Sequence, residues 1–489
     1  MENEYFPNEE SLDPEDWDAF RSLAHRMLED MLDYQQHVRQ RPVWQPVPPE
    51  VKTFLKQPMP LEPQPREQVY QDFVQYVLPY PLGNPHPRFW GWVMGNGTPF
   101  AAMAELLAAT MNPNMGGAEH AANYVEAQVI DWLKKMFGYP LGASGLLVSG
   151  ASMANLVGLT VARNTLAGYD IRSQGLRAGT RQMVLYASQE VHSCVHKAVE
   201  LLGLGRDALH LIRVNEAYEM DLEALRQAIA ADRRAGLQPF CVVGTSGTVN
   251  TGAIDDLQGI AEICRNEGLW FHVDGAIGAV AVLSPEVGAC VEGLRLSDSL
   301  ALDLHKWMYM PFEAGCALVR SEKAHRTAFS LTPEYLAHAE RGMAAGPLWF
   351  SDYGLQLTRG FKALKVWMSL KEHGVPKFGR MVQQNMAQAQ YLAKLVEAHP
   401  LLELLAPVQL NIVCFRYNPG GINEDDLNRL NQELLIRLHE SGIAAPTYTT
   451  LQNRYCLRAA ITNHRSRRED FDILVETVAR LGGEVLAEF

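Results

Sequence analysis

Four hundred and eighty-nine residues exceed one ordinary core: at ~150 residues per domain they imply two or three, or one large α/β unit with appendages. Hydrophobic residues make up 47% and charged residues 20%, which excludes a disordered or fibrous chain. Forty-three basic against fifty-six acidic side chains leave −13, a balance that argues against life on nucleic acid or an anionic membrane face. The charge is local, since residues 1–40 hold eleven acids and three bases and the rest is near balance.

Seven cysteines, at 194, 241, 264, 290, 316, 414 and 456, form no CxxC pair. That scatter reads as reduced thiols in a cytosol, with neither a disulfide framework nor a zinc ribbon. The start MENEYFPNEE is acidic and polar, unlike a signal peptide, and no apolar run approaches a membrane span. The expectation is a cytoplasmic protein that meets neither nucleic acid nor membrane.

Residues 13–38 read as one amphipathic helix, with Asp13 as N-cap and Pro14 at the first helical position. Trp17, Phe20, Leu23, Met27, Leu28, Met31 and Leu32 follow the spacing of a single buried face. The Pro-rich stretches 41–51, 58–67 and 80–89 predict an extended arm without regular structure. A helix on such an arm must bury its face elsewhere, for instance on another subunit. From about residue 125, helical and apolar segments alternate: GLLVSG, RQMVLYAS, LHLIRV, FCVVGTS, LWFHVDG, SLALDLH and CALVRS read as strands. This rhythm predicts βαβ units and a mainly parallel sheet, with ligands at the carboxyl ends of its strands. After about residue 370 the pattern of helix 375–398, strand 410–417, helix 424–441, strand 455–462 and helix 468–485 predicts a smaller α+β domain. The expected division is an arm (1–85), a large domain (86–370) and a small C-terminal domain (371–489).

The chemistry concentrates in LWFHVDGAIGAV (269–280) and DSLALDLHKWMYMPFEAG (298–315). Asp274 closes one apolar strand, and Lys306, preceded by His305, follows another 32 residues later. A lysine among apolar residues loses its proton cheaply and can form a Schiff base. Cofactors of the pyridoxal type need such a lysine together with an acid for the ring nitrogen. Either residue alone reads as a cap or an exposed base; the pairing at two strand ends reverses that. The turn SGASMANL (149–156) offers free amides and the Ser152 hydroxyl to an anion, or simply permits a tight turn. As a GxSxG elbow it is a near miss, because Gly150-Ala151-Ser152-Met153-Ala154 lacks the last glycine. GLGRDA (203–208) sits between a helix and a strand, the reverse of a dinucleotide loop. His192 follows a strand end, where an imidazole can stack on an aromatic cofactor. With His196 it has helical spacing for a metal pair, but no HExxH pattern accompanies it, and no metal is expected.

Taken together, DPEDWDAFRSLAHRMLEDMLDY with RPVWQPVPP, HPRFWGWV, the small-residue turn, HSCVHKA, FHVDGA, LDLHKW, LTPEYL and LTRGFKALKVW resemble the group II pyridoxal-phosphate-dependent amino acid decarboxylases over nearly the whole chain. The resemblance implies fold type I: a large domain with a mainly parallel seven-stranded sheet, a small α+β domain and a helical arm exchanged within a homodimer. It implies that Lys306 binds pyridoxal 5'-phosphate, Asp274 pairs with the ring nitrogen, and His192 stacks on the ring and helps orient the substrate carboxylate. Ala151, Ser152, Ser299 and His305 would form the phosphate site, Thr248 would touch the ring or its substituents, and Ala276 would pack on it. Tyr335 matches the loop tyrosine that returns a proton after carbon dioxide leaves, within a segment (327–350) composed like a lid. Phenylalanine there goes with aldehyde formation, so Tyr335 favours simple decarboxylation. Phe89, Trp90 and Trp92 fall where aromatic-specific members line the substrate pocket. Asn114, within MNPNMGGAEH (111–120), adds polarity that fits a glutamate-type pocket or equally a turn. The implied reaction is decarboxylation of an aromatic L-amino acid to its amine. An acidic or other polar amino acid is the alternative, ahead of an aminotransferase or an aldehyde-forming enzyme.

Overall fold

The computed structural model describes residues 10–331 and 339–488. Their strands run, in chain order, β1 (Phe89–Trp90), β2 (Ser144–Val148), β3 (Met183–Ser188), β4 (Leu209–Ile212), β5 (Gln238–Thr245), β6 (Trp270–Asp274), β7 (Ser299–Asp303), β8 (Gly315–Val319), β9 (Leu402–Leu404), β10 (Ile412–Tyr417), β11 (Ala445–Leu451) and β12 (Arg454–Ala460). Seven of them form the large sheet in the order β2-β8-β7-β6-β5-β3-β4. The block β7-β6-β5-β3-β4 is parallel throughout, while β8 runs antiparallel to both β2 and β7. The expected α/β architecture of fold type I is therefore present. Central strands such as β6 and β7 are buried at every residue, which is why they read as unbroken apolar runs. The helices between them carry polar caps. Asp221 accepts from the amides of Glu223 and Ala224 at 2.9 and 3.0 Å, opening the helix Leu222–Arg234.

A second sheet has the order β1-β11-β12-β10-β9. The helices Val375–Ala398, Glu424–Glu440 and Arg468–Leu486 cover it and close a separate core around Phe415, Leu434, Leu457 and Phe471. Here two sequence expectations change. Strand β1 pairs in parallel with β11, so Phe89 and Trp90 join the small sheet although they precede the large one in the chain. The Pro-rich arm is also not devoid of regular structure. Helices Pro49–Phe54 and Arg66–Tyr76 start beside Pro48 and Pro65, because proline lacks an amide proton that a helix start leaves unbonded anyway. The first helix spans Trp17–Gln36 and is capped by Asp16, whose Oδ1 accepts from the amides of Asp18 and Ala19 at 3.0 and 2.9 Å, three residues after the cap expected at Asp13. It buries none of its residues within this chain, and Trp17, Phe20, Met27 and Leu32 stand exposed.

Candidate active site

Four adjacent parallel strands deliver polar residues to one edge of the large sheet: Ser188 ends β3, Thr245 ends β5, Asp274 ends β6 and Asp303 ends β7. Parallel strands put their free carboxyl ends side by side, so residues distant in sequence meet here. A cavity of about 400 Å³ opens over this edge, and Asp274, Asp303, His305, Lys306, His192 and Ala276 contribute to its wall. Ala151 and Ser152, at the start of the helix Ala151–Leu166, also line it.

Asp274 is buried, and its Oδ1 accepts from the Ala276 amide at 3.1 Å. Burial pushes its carboxyl above the usual range, while the nearby Lys306 pulls it back. An acid so placed gains from any cation set against it. The Lys306 Nζ lies 2.8 Å from Asp303 Oδ2, and Asp303 Oδ1 accepts from the Ala151 amide at 2.6 Å. His305 Nδ1 accepts from the Ala314 amide at 3.0 Å, which leaves the ring proton on Nε2, 3.5 Å from Asp303 Oδ1. His192 caps the helix Ser193–Leu201 by accepting from the Cys194 amide at 3.2 Å, and burial lowers its pKa, so the imidazole is neutral.

The structure brings together Lys306, Asp274, His192, His305, Ala151, Ser152, Ala276 and Trp92. It separates others. Ser299 opens β7 while Asp303 closes it, so Ser299 lies at the far end of the strand. Its hydroxyl bonds the Trp270 indole at 2.8 Å and His272 at 2.7 Å, and it is no part of the cavity wall. Thr248 is buried in its own turn, 3.0 Å from the Thr251 hydroxyl and accepting from the Ala253 amide at 3.1 Å. Thr245, Gly247 and Asn250 take the cavity positions instead. Trp90 stacks on Phe471 at 5.0 Å in the small core, and its indole donates to Ser466 at 3.2 Å. Phe89 packs with Val43 and Ala445 and lines a neighbouring apolar cavity of about 550 Å³. Asn114 is a turn residue: its Oδ1 accepts from the amides of Gly116 and Arg359 at 3.0 and 3.1 Å. Tyr335 lies outside the described residues.

Three participants had no local signal. Asp303 was hidden in the motif that contains Lys306. Arg458 on β12 lines the cavity although it is 3% exposed; its Nε donates to the Asn250 carbonyl at 3.1 Å and its Nη1 to the Trp92 carbonyl at 2.7 Å. Its Nη2 has no partner, and no carboxylate pairs with it among the described residues. Burial lowers its pKa to about 10. Tyr448 on β11 completes the wall from the small sheet.

The model of the pyridoxal-dependent decarboxylase conserved domain matches residues 48–418, most of the chain. An aromatic-L-amino-acid decarboxylase of Bacillus atrophaeus is 31% identical over 96% of this chain and 96% of its own. This chain belongs to the pyridoxal-dependent decarboxylase family. This chain is also 29% identical to tyrosine decarboxylase 2 of Narcissus pseudonarcissus, over 93% of this chain and 92% of that one. Among solved structures, Oryza sativa TDC with PLP and tryptamine superposes with a TM-score of 0.88 at 26% identity, covering 97% of this chain and 99% of that one. Mouse CSAD does so at 0.89 and 25%, covering 96% and 99%. The protein is a pyridoxal-phosphate-dependent amino acid decarboxylase, and the chemistry of the site fits that cofactor. A buried carboxylate, a lysine amine, a neutral imidazole and the amide start of a helix all converge on one cavity, and the buried Thr245 hydroxyl there has no partner among the described residues.

Proposed function

We propose that the decarboxylase acts on an aromatic L-amino acid, works as a homodimer and resides in the cytoplasm. The observation that carries the substrate class is the wall facing the sheet edge: Trp92 and Tyr448, 53% and 60% exposed, present aromatic surface at the cavity. The tyrosine and aromatic-L-amino-acid decarboxylases among its relatives support the same reading. Bound pyridoxal phosphate supplies the electron sink that makes loss of carbon dioxide feasible.

The chain supplies everything else. Lys306 would hold the cofactor through its amine, and Asp274 would keep a proton on the ring nitrogen. His192, on the cavity wall, would lie against the ring, where a neutral imidazole can stack without adding charge. Ala151, Ser152 and His305 give N–H and O–H donors to the phosphate. Tyr335, which lies outside the described residues, would return a proton to the substrate α-carbon. The homodimer is supported by the exposed apolar faces of Trp17–Gln36 and of the helix Pro99–Met111, where Phe100, Leu106, Leu107 and Met111 are exposed. Cytoplasmic residence is supported by the cysteines, of which the six with described side chains are all free thiols.

Arg458 favours a second reading. A buried guanidinium with its Nη2 group unpartnered among the described residues suits a carboxylate that stays on the substrate, which points to an acidic amino acid. A screen of the twenty L-amino acids for amine and carbon dioxide separates the two. Release from tyrosine, tryptophan or phenylalanine supports the first reading; release from glutamate or aspartate alone supports the second. A keto acid without carbon dioxide contradicts both.

A further inference from the structure

One carboxylate in the site is bonded to both groups through which the cofactor is gripped. Asp303 Oδ2 lies 2.8 Å from the Lys306 amine, and Asp303 Oδ1 takes the Ala151 amide at 2.6 Å. Its side chain is 4% exposed, and a Cβ added to Gly150 would meet Oδ1 at 3.3 Å, so the carboxylate is packed directly against the turn that opens the helix. No other cation is closer to it among the described residues; His305 Nε2 stands at 3.5 Å. Resting on the reading that Lys306 and the start of the helix Ala151–Leu166 hold pyridoxal phosphate, we propose that Asp303 is a built-in competitor for the cofactor. Binding must withdraw the Lys306 amine from Oδ2 and set a phosphate beside Oδ1, so the chain trades affinity for reversible loading.

The physical reason is charge. The phosphate brings two negative charges to an amide that already serves a buried carboxylate, and like charges a few ångströms apart in a dry cavity repel strongly. The same carboxylate restrains the lysine until the cofactor's carbonyl takes over its amine. Asp303 is thus a positioning residue with a cost attached. Asn at this place would keep an oxygen for the Ala151 amide and remove the charge.

Titration of the full chain with inorganic phosphate, pyridoxal and pyridoxal phosphate, followed by tryptophan fluorescence, tests this. In Asp303→Asn, phosphate and pyridoxal phosphate should bind about tenfold tighter, with pyridoxal, which lacks the phosphate, gaining less. Asp303→Ser, which keeps a small acceptor, should shift affinity in the same direction and guards against a folding defect in the amide variant. Unchanged or weaker phosphate binding in both folded variants overturns the proposal. A wild-type chain that binds no pyridoxal phosphate would instead sink the cofactor site, and the proposal with it.

Discussion

The two walls of the cavity solve the problem of buried charge in opposite ways. On the large-sheet edge, ionisable groups settle one another: Lys306 pairs with Asp303, and Asp274 and His192 feel both charges. On the small-sheet wall, Arg458 is buried with only carbonyls as partners, and its Nη2 group has none among the described residues. A self-paired cluster can hold a reactive cofactor in a fixed protonation state. An unpaired cation keeps its charge for a visitor, because leaving it uncompensated costs stability that only binding recovers. The difference suggests that the first wall carries the chemistry and the second chooses the substrate.

Replacing the amine is the most severe way to break the first wall. Lys306→Ala should cost about a thousandfold or more in kcat and abolish the visible absorbance of the bound cofactor; an unchanged spectrum would remove Lys306 from its assigned role. Tyr335→Phe should reduce amine formation by about a hundredfold while aldehyde and oxygen uptake appear, as read by product analysis and an oxygen electrode. If amine forms as before, Tyr335 is not the proton donor. The neighbouring tryptophans sharpen the second wall. Trp92→Ala should raise KM by about tenfold at little cost in stability, whereas Trp90→Ala should lower stability by about 3–5 kcal/mol in denaturant unfolding, with the KM of the folded fraction retained. A reversed pattern would mean that the pocket lies on the other face of β1.

The smallest effect concerns pH and arises mainly from groups outside both walls. Burial holds His86, His325 and His464 at pKa values of about 4 and His272 at about 3, against 6.5 for a free imidazole. Each binds more protons unfolded than folded in that interval. Stability is therefore full above 6.5 and is lost as pH falls toward about 4. Asp255, raised to about 6 by burial, acts in the opposite sense over part of the window, as do the raised carboxyls of Glu126, Asp274 and Asp298, but six imidazoles, His192 and His305 among them, are lowered. A thermal melt at pH 5 should give a lower Tm than at pH 7.5; equal values would show that these rings are not buried neutral.

Much of the large sheet was legible because its strands are buried on both faces and its helices carry polar caps, and both leave marks in one sequence window. Asp274, Lys306 and His192 were legible as residues at or just beyond strand ends. Ser299 was misassigned because nearness to Lys306 in sequence is not nearness in space: Ser299 and Asp303 are the opposite ends of the five-residue strand β7. Trp90 and Trp92 are two residues apart, yet Trp90 belongs to the small core, since the chain enters β1 there and turns at Trp92, whose φ is 49°. Arg458 was invisible because its meaning depends on having no acid nearby, and only the fold determines that. The same holds for Asn114, where a side chain that reads as a pocket group is occupied by two backbone amides.

The division of labour between the walls is tested most directly by a matched pair, Asp274→Asn and Arg458→Met, each assayed for cofactor absorbance and for KM against kcat. Asp274→Asn should lose cofactor absorbance and about a hundredfold in kcat, while Arg458→Met should keep the absorbance and show a KM raised about ten- to a hundredfold. A folded Arg458→Met protein that loses its cofactor with KM unchanged, or an Asp274→Asn protein with full kcat, would contradict it.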